Sequence, residues 1–165
     1  TSLIFSLSLF LLYMMSTLHH SLTNHKAKQV FLVLDYSAIY LVIAATFTPF
    51  ILLVTKIDKL SNLLILISIW ILAILGITLS AIFNKKIKTI APLFYIIMGW
   101  LSLLILPQIY QKSGLTITGL LLNGGILYTL GTQWYLKDIR KYHHTVWHAH
   151  VLIASLLHFI AISML

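Results

Sequence analysis

The chain contains no cysteine and only three acidic residues, all aspartate, in 165 positions. Without thiols there is no disulfide and no thiolate metal site, and the absence says nothing about compartment. Charge of either sign is scarce: 8% of residues are charged, against about 25% in a soluble globular protein. Too few polar side chains are present to cover a water-facing surface. No soluble domain, internal repeat or low-complexity tract is visible. The net charge of +8 is a poor argument for a nucleic-acid partner. The Lys and Arg residues stand in short stretches between apolar runs, where they orient membrane proteins.

What is abundant is hydrophobic: 60% of the chain, gathered in long blocks. Six segments, at about 1–22, 30–54, 60–83, 90–110, 115–136 and 145–165, reach the roughly 20 residues that cross a bilayer core. Backbone polar groups must be paired inside the bilayer, which leaves helices or closed barrels. Runs such as LLILISIWILAILGITL lack the two-residue alternation of barrel strands. The expectation is an all-α, multi-pass protein of the cell membrane: six helices in one transmembrane domain over 1–165, joined up and down by short loops. The first segment has neither the basic start nor the small-residue cleavage site of a signal peptide. Because residue 1 is Thr and not Met, one further apolar helix is expected upstream in the natural protein.

The loops sort by charge. Those after the first, third and fifth segments hold Lys26, Lys28, Lys85, Lys86, Lys88, Lys137, Arg140 and Lys141; the other two hold Lys56, Lys59 and Lys112. Eight against three, on alternating sides, places the first set in the cytoplasm. Pro49, Pro92 and Pro107 read as tolerated kinks. GLLLNGG at 119–125 reads as small residues for close helix packing, and is not a phosphate loop. The Trp and Tyr residues read as interface anchors or packing.

Ionisable groups within spans are costly and are functional candidates by default. Asp58 and Asp138 lie in loops beside lysines, whereas Asp35 falls five residues into the second segment with no Lys or Arg on its own helix to neutralise it. His20 lies near the cytoplasmic end of the first segment, with Ser16 one turn before it. His144 and His148 lie near the cytoplasmic start of the last, four residues apart and so on one face. All five share one depth. Three neutral imidazoles with a carboxylate nearby suit a zinc ion. Two plainer readings stand beside this one. A helix-end histidine pair also serves as interfacial polarity, and Asp35 could hydrogen-bond a serine or tyrosine or pair with a protonated histidine. His143 and His150 point away from that face by helical geometry; His25 is in a loop; His19 is not separable from His20. His158 lies about 15 Å deeper than His148 and suits an interhelical hydrogen bond.

SLFLLYMMSTLHHSL, LDYSAIYLVIAATFTPF and HHTVWHAHVLIASLLHF together resemble the hemolysin III family of bacterial membrane proteins, grouped with the progestin and adiponectin receptors. The resemblance implies a seven-helix bundle with zinc near the cytoplasmic surface, of which this chain matches helices two to seven. It carries His20, His144 and His148 over as zinc ligands, and Ser16 and Asp35 as groups around the zinc's water. His19 stands where the family often has Tyr, and Tyr36 where bacterial members often have His. The expected activity is zinc-dependent hydrolysis of a lipid amide or ester, in keeping with ceramidase-like relatives, with membrane lipids as partners. The alternatives are a non-enzymatic sensor or receptor in membrane homeostasis, and a pore-forming, haemolytic protein.

Overall fold

The computed structural model describes residues 2–55, 58–83, 87–137 and 141–165, without the side chains of 87–89. Lys56, Lys85, Lys86, Asp138 and Arg140, named above for their loops, lie outside the described residues, as does the side chain of Lys88. Six helices follow one another: α1 (Ser2–Ser21), α2 (His25–Leu53), α3 (Lys59–Ile82), α4 (Ile87–Trp100), α5 (Leu106–Leu136) and α6 (His143–Ser163), with a 3₁₀ turn at Leu101–Leu104 between α4 and α5. There is no strand among the described residues. Five helices are long and apolar enough to cross a membrane, and the apolar stretch Ile90–Leu104 is a shorter sixth.

Two boundaries differ from the sequence expectation. The second helix begins at His25, not near 30, because the Asn24 side chain accepts from the Ala27 amide and caps it. Asp35 is therefore ten residues into α2, about 15 Å along its axis, and Lys28 is helical. The fourth segment is not one helix over 90–110. It ends in the 3₁₀ turn at Leu101–Leu104, and residues from Leu106 onward run into α5. Pro107 stands in the first turn of α5, where its missing N–H costs nothing. Gly114 then breaks α5 with φ 78° and ψ −177°, a conformation that L side chains rarely adopt.

α2 is the central helix, packed on α1, α3, α4 and α6, while α5 pairs with α4 and α6. Its small residues Ala38, Ala44 and Ala45 are buried and let neighbours approach closely. Tyr40 of α2 lies flat against Gly76 of α3, where a Cβ would stand 2.3 Å from the ring. Hydroxyls within the helices are satisfied on the preceding turn: Ser37, Thr46, Thr48 and Ser80 each donate to the carbonyl four residues back. Of the 119–125 glycines, Gly124 has the packing role expected: a Cβ there would meet the His158 ring at 2.4 Å, whereas Gly119 and Gly125 have open space. At the opposite end of the bundle from the histidines, Asp58 caps α3 by accepting from the Leu60 and Ser61 amides, a closer role than that of a solvated loop acid.

Candidate metal centre

Three stripes converge at the end of the bundle carrying the α1–α2 and α5–α6 connections. α1 contributes Leu12, Tyr13, Ser16, His19 and His20; α2 contributes Lys28, Leu32, Asp35, Tyr36 and Ile39; α6 contributes His144, Trp147, His148 and Val151. The spacings i, i+3, i+4 and i+7 are those of one helix face, so each set points the same way. With Tyr95 and Tyr135 they line a cavity of about 540 Å³.

Inside it the imidazoles of His20, His144 and His148 meet. The His144 and His20 Nε2 atoms are 3.2 Å apart, those of His148 and His144 3.0 Å, and the ligating atoms of all three lie within 4.8 Å of one another. Zinc–nitrogen bonds of 2.0–2.1 Å at tetrahedral angles put neighbouring nitrogens about 3.3 Å apart. The donor set and its spacing thus fit a metal ion, and three neutral nitrogens leave one tetrahedral position open. The same separations are met by N–H···N hydrogen bonds between neutral rings. His20 is the exposed member, and His144 and His148 are half-buried.

Asp35 and Ser16 line this cavity together. The five residues singled out in the sequence are therefore brought together. His19 is separated from His20 here: its Nδ1 donates to the Lys28 carbonyl at 3.2 Å. Among the other histidines, Nδ1 of His143 meets the Lys137 carbonyl and that of His150 the Val146 carbonyl, while Nε2 of His158 meets the Leu121 carbonyl, across to α5. None of the three belongs to the cluster of possible metal ligands among the described residues.

Residues that sequence reasoning passed over as anchors or loop charge also line the site. Tyr36 and Tyr135 touch through their hydroxyls, and the Tyr95 hydroxyl donates to the Tyr36 carbonyl at 3.0 Å. Tyr36 follows Asp35 directly, which is a signal in the sequence for its place. Lys28 reaches the same cavity because α2 starts early. A second, largely apolar cavity of about 120 Å³ shares Leu12, Ile39, Tyr95, Trp147 and Val151 with the first and extends along α2, α4, α5 and α6 as far as His158.

Comparison with known proteins shows the family of the chain. Residues 1–159 match the family model described as Haemolysin-III related. The chain is 41% identical over 159 residues to Hemolysin-3 of Bacillus cereus, covering 96% of this chain and 72% of that protein. It is 38% identical over 152 residues to the Hemolysin-3 homolog of Bacillus subtilis (strain 168), covering 92% and 70%. It is 28% identical over 168 residues to the human Monocyte to macrophage differentiation factor, covering 98% and 68%. No solved structure matches significantly. A family match over residues 1–159, two bacterial relatives and a helical bundle of membrane-spanning length make this chain a multi-pass membrane protein of the haemolysin-III family.

Proposed function

We propose that this protein is a zinc-dependent membrane hydrolase acting on a lipid amide or ester, with His20, His144 and His148 as the zinc ligands. The observation that carries the reading is the meeting of three Nε2 atoms in a cavity that is also lined by the Asp35 carboxylate and the Ser16 hydroxyl. Structural zinc sites are closed by four protein ligands, whereas catalytic ones keep a position open. When bound, zinc supplies Lewis acidity, polarising a carbonyl oxygen and making water nucleophilic at neutral pH. Asp35 is the general base: its carboxylate takes the proton that water loses as the new C–O bond forms. It returns that proton to the leaving nitrogen or oxygen as the old bond breaks. Ser16 orients that carboxylate. The adjoining apolar cavity gives the chain of an amphiphile a place beside the polar pocket, which favours a lipid over a soluble substrate.

The second reading is a sensor in which occupancy of the pocket, and not turnover, is the output; it uses the same ligands. A pore is the weakest reading. Among the described residues of α3, the stretch from Leu60 to Ile82 carries no ionisable side chain.

Metal analysis of purified protein, joined to a lipid-amide and lipid-ester hydrolysis assay with and without chelator, tests the proposal. About one zinc per chain and turnover abolished by chelation are expected. Zinc without turnover on any lipid tested would favour the sensor, and turnover without metal would refute the zinc mechanism.

A further inference from the structure

We propose that Lys28 is the residue that recognises the polar end of the ligand, and that this end carries an anionic oxyacid group, a carboxylate or a phosphate. The inference rests on the reading of the pocket as a lipid site and adds a requirement on the lipid's chemistry.

Lys28 is the only Lys or Arg among the described residues lining either cavity. Its placement follows from the Asn24 cap, which starts α2 at His25. Lys28, Leu32, Asp35 and Ile39 then lie at i, i+4, i+7 and i+11 on one face, and all four line the pocket. Lys28 stands two turns, about 10 Å, toward the membrane surface from Asp35. The backbone at this point is tied down, because His19 of α1 donates its ring N–H to the Lys28 carbonyl. Lys26, two residues earlier, is exposed and lies outside both cavities.

A cation at this place works against the metal. Positive charge beside three imidazoles that hold a dication weakens the site, so Lys28 is not there to assist His20, His144 and His148. Of the acids described, Asp58 caps the far end of α3 and Asp35 sits two turns deeper. An ammonium at the mouth of a lipid pocket pairs with an oxyanion at headgroup level. A charge-assisted hydrogen bond to a carboxylate or phosphate is about twice as strong as a neutral one. The pocket thus has an ordered polarity: cation at the mouth, carboxylate and imidazoles within, apolar cavity beyond.

The test is equilibrium binding to full-length protein in nanodiscs of neutral lipid, stripped of metal, so that it reads neither zinc nor turnover. The probes share one twelve-carbon chain: laurate, lauroyl lysophosphatidic acid, and the neutral monolauroylglycerol. Wild type is expected to bind at least one of the two anionic probes about tenfold more tightly than the neutral one; which of them it favours tells carboxylate from phosphate. Lys28→Gln should remove that preference, Lys28→Arg should keep it, and Lys26→Gln should not affect it. Equal binding of all three probes by wild type, or a preference that persists in Lys28→Gln or is lost equally in Lys26→Gln, would overturn the proposal. Its failure leaves the hydrolase reading standing if the metal-loaded protein still turns over neutral lipids. A Lys28-dependent preference in a protein without turnover retains the anion site and removes the hydrolase.

Discussion

His20 and His144 are 124 residues apart in the chain, and their Nε2 atoms are 3.2 Å apart in the fold. α1 and α6 are thereby joined at one end, with His148 closing the cluster from the next turn of α6. His20→Ala, or His144→Ala combined with His148→Ala, should lower zinc affinity by more than about 100-fold, the upper end of what losses outside the ligand shell cost. Metal content by mass spectrometry of purified variants checks this. Full occupancy in either variant would show that the three rings are a hydrogen-bonded cluster only.

Asp35→Asn separates binding from chemistry. The amide is nearly isosteric and still hydrogen-bonds, but it does not take up a proton at neutral pH. Hydrolysis is expected to fall by about 10²–10⁴-fold, the range for loss of a general acid–base group, with zinc largely retained. Unchanged turnover on the same lipid would remove Asp35 from the mechanism.

The two faces of the protein should differ as the loop charges require. A reporter fused after Lys86 is expected to read cytoplasmic and one after Lys112 external, from the division of eight basic residues against three. Reversed signals would turn the histidine cluster to the outer surface.

Gly76 is a packing position that tolerates no side chain. Its missing Cβ is 2.3 Å from Cε1 of Tyr40, and Tyr40 is itself held by the Tyr95 ring at 4.6 Å between centroids. Gly76→Ala should destabilise the protein by about 1–3 kcal/mol, as overpacking does. Gly119→Ala, with nothing within 4 Å, should be neutral or gain up to about 1 kcal/mol from higher helix propensity. Thermal unfolding in detergent compares the two, and equal midpoints would contradict the contact.

Asp58 gives a pH dependence of known sign. The Ser61 side chain, with the amides of Ser61 and Leu60, holds its carboxyl below the ordinary aspartate value. A carboxylate lowered on folding contributes stability that is complete above the unfolded pKa of about 3.9. That contribution fades as pH falls through the folded value. Asp58→Asn keeps the cap acceptor and loses the charge, so its unfolding midpoint should vary less than wild type between about pH 5 and pH 3.

The spans and the five polar residues of the site were legible because hydropathy and charge are local properties. A block of apolar residues crosses the bilayer whatever its neighbours do, and Asp35 or His148 within one is visible at once. The start of α2 was not legible on that criterion: HKAKQ is polar and reads as loop, although Asn24 before it is a good capping residue. The break between α4 and α5 was likewise signalled, by Pro107, and the kink within α5 by Gly114, but the segment's length suggested one span. The Tyr36–Tyr135 contact and the cavity around it had no local signal, since they arise only where α1, α2, α5 and α6 come together.

The joining of α1 to α6 has a consequence for how the protein is made. His20 is synthesised early and enters the membrane with two ligand partners still untranslated. No intermediate with α1 to α5 alone can complete the three-histidine cluster, however well those helices pack. Insertion of α6 is therefore the step at which the three-histidine cluster, and with it the proposed metal site, is completed. A nascent chain halted before His144 should retain zinc no better than one lacking His20, so metal retention would report completion of the last helix during synthesis.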